Sequence, residues 1–123
     1  MSGQLLVAVD DLFFLARIQQ TAKLLGISVC QTPLPVLAAR AAELHPAAVL
    51  LDLNHSSGKA VETAAAFKRD PALAPIPVIG FLSHVQADLA QAARTAGCDQ
   101  VMARSAFTRN LPELLQKLAA PQP

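Results

Sequence analysis

A doubly wound α/β domain, a five-stranded parallel sheet flanked by five helices, is the fold class this sequence predicts, and three observations predict it. Short runs that are apolar at nearly every position recur along the chain, as in strands buried on both faces of a sheet. Between them lie segments with apolar residues at steps of three and four, the helical period. The two kinds alternate, so each connection is a crossover that lays a helix against the sheet.

Residues 4–9 (Gln-Leu-Leu-Val-Ala-Val) read as the first strand, with Asp10 and Asp11 at its carboxyl end. Residues 12–25 set Leu12, Leu15, Ile18, Ala22 and Leu25 on one helical face, and Gly26 is a natural C-terminal stop. Residues 27–31 form a second strand. Thr32-Pro33-Leu34-Pro35 then opens a helix through Leu37, Ala41 and Leu44, which His45-Pro46 ends. A third strand over 47–53 carries one carboxylate, Asp52. The loop 54–58 leads to a helix around 61–67, and the segment from Asp70-Pro71 to Pro75 is a break no helix crosses. Residues 76–82 make a fourth strand, and 88–96 an alanine-rich helix closed by Gly97. Residues 100–103 are a weak fifth strand, and 111–119 a last helix with Pro112 in its first turn.

A chain of 123 residues suits one domain, here 1–119 with a frayed tail at 120–123. It is 53% hydrophobic and 15% charged, yet its longest apolar runs fall far short of the ~20 residues that cross a bilayer. The first four residues carry no basic or apolar export signal, so the expected location is the cytoplasm. Cys30 and Cys98 lie far apart with no metal or redox spacing and are expected to be reduced and packed. A net charge of +1, with Lys and Arg scattered, gives no footprint for nucleic acid. No nucleophile elbow, P-loop or glycine-rich dinucleotide motif occurs, and five glycines leave little material for one. The chain is therefore not expected to be an enzyme.

Ligands of open parallel sheets sit at the carboxyl ends of strands. Asp10 and Asp11 end strand one, Asp52 ends strand three, Ser83 and His84 follow strand four, and Arg104 and Ser105 follow strand five. All are expected on one rim. Three adjacent carboxylates repel unless a cation sits among them, and such oxygens suit Mg²⁺; the plainer reading of Asp10-Asp11 is that they cap the helix at Leu12. Asp52 interrupts an apolar run where a buried charge needs a partner.

The element order and the three aspartates resemble the receiver domains of two-component response regulators, along nearly the whole chain. Leu50-Leu51-Asp52-Leu53 is similar to the family's phosphoacceptor strand, and Ile76-Pro77-Val78-Ile79 and Ala96-Gly97-Cys98-Asp99 to its fourth strand and its turn into the fifth. The resemblance implies a flavodoxin-like fold and Mg²⁺ held by Asp10, Asp11 and Asp52. It also implies a phosphoryl group accepted on Asp52 from a histidine kinase or phosphotransfer protein, and an effector protein bound at the face of the fourth helix, fifth strand and fifth helix. Three switch positions depart from the family. Its hydroxyl falls on Leu82, with Ser83 one residue late, so that Ser83 substitutes only if the strand has a bulge, for which Gly80 is the candidate. Its aromatic falls on Val101, and its lysine on Arg104, a planar fork in place of a compact ammonium. The loop after Asp52 lacks the family's proline. A degenerate receiver working by constitutive contacts fits as well as a phosphorylated one.

The runner-up is a small-ligand module of the same fold using the same rim. Asp52, His55 and Gly58 are similar to a cobalamin-binding signature, but the spacing is off by one. His55 and His84 with Asp52 are a candidate transition-metal set, though two exposed loop histidines are the simpler reading. The alanine-rich stretches 38–42, 64–66 and 90–96 offer a close-packing face for a second copy of the chain or another partner as readily as they reflect helix propensity.

Overall fold

The protein is described over residues 4–83 and 86–119 in a computed structural model. Five strands, β1 (Leu5–Ala8), β2 (Val29–Gln31), β3 (Ala48–Asp52), β4 (Val78–Leu82) and β5 (Gln100–Ala103), pair in parallel in the order β2-β1-β3-β4-β5. Every residue of β1, β3 and β4 is buried, which explains why their sequences run apolar without alternation. The edge strands β2 and β5 are partly exposed and correspondingly less apolar.

Six helices cover the sheet: α1 (Leu12–Leu25), α2 (Leu37–Leu44), α3 (Ala60–Arg69), α4 (Ala87–Ala96), α5 (Arg104–Arg109) and α6 (Leu111–Ala119). On one face α1, α5 and α6 pack Phe14, Ile18, Phe107 and Leu115 on Leu5, Leu50, Ile79 and Phe81. On the other, α2, α3 and α4 pack Leu37, Ala64, Phe67 and Ala93 on Leu6, Val49, Leu51 and Leu82. Ala41, Ala64 and Ala93 of the alanine-rich helices face this core, where small side chains let the helices lie close to the sheet. Among the described residues no helix is long and apolar enough to cross a membrane.

The fold class is as predicted, with corrections in detail. Among the described residues there are six α-helices rather than five, because Arg104–Arg109 forms a short helix with no side-chain cap and a single buried residue, Phe107. A 3-10 turn, Leu34–Val36, precedes α2, which begins only at Leu37. The bounds of α1 match, and so does most of its inward face, Leu12 being the exception and Phe14 the addition. Phe14, Leu15, Ile18 and Ala22 point inward while Leu12 is 73% exposed; at 3.6 residues per turn Phe14 lies about 40° from Ile18 and Leu12 about 120°.

The bulge at Gly80 on which a role for Ser83 depended does not occur. β4 runs in unbroken register against β3, with Leu51 opposite Gly80 and Asp52 opposite Phe81, and equally against β5. Gly80 is required instead by close packing, since a Cβ there would lie 2.9 Å from Cδ1 of Leu53. At the amino end of the sheet, Lys68 Nζ donates to the carbonyls of Ala74 (3.0 Å) and Ile76 (3.1 Å) and to Asp99 Oδ2 (2.9 Å). Asp99 Oδ2 also accepts from the Val78 N–H at 2.7 Å, so one ammonium fastens α3 to the starts of β4 and β5.

Candidate functional site

Because β1 and β3 are adjacent and parallel, their carboxyl ends bring Asp10, Asp11 and Asp52 to one rim, which β4 and β5 extend to Ser83 and Arg104. Asp11 is the N-cap of α1: its Oδ1 accepts from the N–H groups of Phe13 (3.0 Å) and Phe14 (3.1 Å). Its Oδ2 accepts from Arg104 Nη1 at 3.0 Å. The other fork of that guanidinium, Nη2, lies 3.6 Å from Asp52 Oδ2. Arg104 thus stands between two carboxylates, one following β1 and one ending β3, and Asp11 caps α1 while also facing the guanidinium.

Asp52 is 1% exposed, and its Oδ1 accepts from the Asn54 N–H at 2.9 Å. Asn54 in turn ties the rim together: its Oδ1 accepts from the Ser83 N–H at 2.6 Å and its Nδ2 donates to Gln86 Oε1 at 2.8 Å. Asp10 Oδ2 accepts from the Ser56 N–H at 3.1 Å, drawing the loop after β3 toward β1. His55 Nδ1 is 3.0 Å from Ser57 Oγ and accepts from the Ser57 N–H. His84 lies outside the described residues. Leu82 packs in the core under α2, α3 and α4, and Val101 is half-buried against it.

Beneath Arg104 three rings from three elements meet. Phe14 and Phe81 have centroids 4.7 Å apart, Phe81 and Phe107 stack at 4.9 Å, and Phe14 and Phe107 are 5.5 Å apart. The guanidinium carbon sits 4.6 Å above Phe14 and 5.9 Å from Phe81, within cation–π range. Arg104 Nε is buried with no partner among the described residues. The sequence reading found the aspartates and Arg104 but missed the aromatic floor and the Asn54 hub. The one available signal was Asn54 standing two residues after a buried Asp, the spacing of an Asx turn.

Burial raises the pKa of Asp52 above 3.8, against the opposing pull of the Asn54 N–H and the Arg104 charge. Hydrogen bonding from Ser56 holds Asp10 below its ordinary value. Burial pushes the Cys98 thiol up to about 11; both cysteines are free, Cys98 buried and Cys30 half-buried. A carboxyl whose folded pKa is raised lends stability that is full below the unfolded pKa and is lost as pH rises through the folded one. Asp52 therefore costs stability at neutral pH, and Asp10 lends stability there that is lost on acidification. Asp52→Asn is expected to melt higher than wild type at about pH 7 and level with it at about pH 3.5. Thermal melts followed by circular dichroism at both pH values check this; a lower melting point for the variant at neutral pH would mean that the Arg104 pair outweighs burial.

The residues do not fit the Mg²⁺ site the resemblance implies. Among the described residues no three His, Cys, Asp or Glu side chains converge to hold a metal ion. Five of the six oxygens of Asp10, Asp11 and Asp52 already face a donor, and the guanidinium occupies the space between two of the carboxylates.

No family model matches the chain, and no curated protein sequence does. Solved structures match along nearly its whole length. A response regulator receiver domain from Rhodospirillum rubrum superposes with a TM-score of 0.79 at 17% identity, covering 97% of this chain and 95% of that one. The phosphorylated cyanobacterial phytochrome response regulator RcpA gives 0.76 at 19% identity, covering 96% and 91%. The Mn²⁺-bound form of response regulator Rcp1 gives 0.69 at 23% identity, covering 94% and 90%. The fold of this chain is that of receiver domains.

Proposed function

We propose that this chain, with its receiver fold, is a cytoplasmic signalling module of the two-component kind that acts through constitutive contacts with partner proteins. The observation that supports this reading is the state of Asp52. It ends β3, where the resemblance puts the phosphoacceptor, is buried, and has one oxygen on the Asn54 N–H and the other facing Arg104. A nucleophilic oxygen in that setting shares its lone pairs with the Arg104 charge, which weakens it as an attacking group.

The readout positions point the same way. Leu82, buried in the core, has no hydroxyl to meet a phosphoryl oxygen, and Val101 is too small to act as a rotating ring. Partners are then a histidine kinase, a phosphotransfer protein or an effector that recognises the standing shape of the α4, β5 and α6 face, or a second copy of the chain. Mg²⁺ has no assigned part in this reading.

A small-ligand module is less well supported. Two grooves, of about 650 and 660 Å³, run along α3 beside Leu34 and Lys59 and along α1 beside Phe13 and Leu24; the second reaches Asp11 and Arg104 at the rim, but Asp52 lines neither.

The test is amide NMR of labelled protein with Mg²⁺ and beryllofluoride, a phosphoryl mimic, and Asp52→Asn as control. Spectra of wild type and variant that both stay unchanged support constitutive signalling. Shifts at Asp10, Asp52 and Arg104 that spread into α4 in the wild type alone would make this a working phospho-switch.

A further inference from the structure

The misfit between the rim and a metal ion is itself informative. We propose that Arg104 is a tethered cation that takes the place of the divalent metal, so that the acidic rim assembles without metal and admits one only when the guanidinium is removed. This deepens the receiver reading, on which it rests for the kind of metal expected; the geometry stands on its own.

Two carboxylates from adjacent central strands and a third beside them would repel if nothing neutralised them. Arg104 meets Asp11 at 3.0 Å and Asp52 at 3.6 Å from separate nitrogens, a two-pronged reach that a point-charge ammonium lacks. Each of these carboxylates turns its second oxygen to a backbone N–H, Asp11 toward the first turn of α1 and Asp52 toward Asn54. A hard dication needs several oxygens at once, Mg²⁺ six in a near-ideal octahedron, and these are already engaged. A dication arriving here would also face the guanidinium charge at close range.

Swinging aside would cost the guanidinium its contact with the Phe14 ring at 4.6 Å and with Phe81 beside it. Turning it outward would uncover the aromatic floor.

The experiment is a titration with Mn²⁺ alone, whose paramagnetism broadens nearby amide resonances, on wild type, Arg104→Met and Arg104→Lys. Methionine keeps an apolar stem against Phe14 and Phe81, and lysine keeps the charge without the fork, so at least one fold-competent variant is available. In wild type the amides of Asp10, Asp11 and Asp52 are expected to stay sharp at Mn²⁺ concentrations that broaden them in Arg104→Met, with affinity in the variant higher by at least about tenfold. Mg²⁺ should raise the melting temperature of the variants and leave that of wild type unchanged. Broadening of wild type at the same Mn²⁺ concentration as the variants overturns the proposal, as does a failure of both variants to gain metal affinity. Neither result involves beryllofluoride, so the metal proposal can fall while the reading of constitutive contacts stands.

Discussion

Phe81→Ala is expected to destabilise the protein by about 3–5 kcal/mol, the range for truncating a buried aromatic. Phe81 is wholly buried, stacks on Phe107 at 4.9 Å, tilts against Phe14 at 4.7 Å, and lies opposite Asp52 in the sheet. Its removal opens a cavity that neither neighbour can fill without leaving the helix that holds it, α5 or α1. Domains of this size are stable by only about 5–15 kcal/mol, so a large part of the margin goes. With no Trp or Tyr in the chain, urea unfolding followed by far-UV circular dichroism is the measurement. The midpoint should fall while the slope stays constant. A loss below about 1 kcal/mol would mean that the site collapses around the truncation, at odds with close packing of the three rings.

Lys68→Met has the next largest expected effect, about 2–3 kcal/mol, as suits the loss of hydrogen bonds from a charged donor. The ammonium serves two carbonyls and the Asp99 carboxylate, and the side chain is only 20% exposed. Methionine preserves the stem that packs beside Gly97 but leaves the carbonyls of Ala74 and Ile76 without that donor. Asp99→Asn should cost less, because its side-chain oxygen still accepts from the Val78 N–H. Parallel urea curves rank the two. If Asp99→Asn proves the more damaging, the Asp99 carboxylate, through the Val78 N–H as well as the ammonium, holds this end of the sheet.

How much of this was legible in the sequence depended on whether burial wrote a period into it. The helix over Leu12–Leu25 and the strand over Gln100–Ala103 were readable to the residue, the first from its spacing and its Gly26 stop, the second from the short run after Gly97. Arg104–Arg109 was not, since six residues with one buried side chain hold no measurable period. Nor was the choice of Phe14 over Leu12 for the inward face at the start of α1, where three consecutive apolar residues, Leu12, Phe13 and Phe14, leave it open. The rim residues could be placed together by topology alone. What topology could not give was the reach of Arg104 to two acids, or the meeting of Phe14, Phe81 and Phe107 from segments far apart in the chain. Those follow from rotamers fixed only when both cores close. The same physics explains why structures match where sequences do not: at 17–23% identity the pattern of burial persists after the residues have changed.

The division of the helices between the two faces has a consequence for synthesis. Every fully buried residue of the α2, α3 and α4 side is present once the chain has been made through Cys98, with only the half-buried Val101 to follow. The opposite side needs Phe107, Leu111, Leu115 and Leu118. During translation from the amino terminus, one flank of the nascent sheet can therefore mature early while the other, with Phe14 and Phe81 on it, stays open to water until the last helix leaves the ribosome. That interval is when the chain is most exposed to aggregation and most in need of a chaperone.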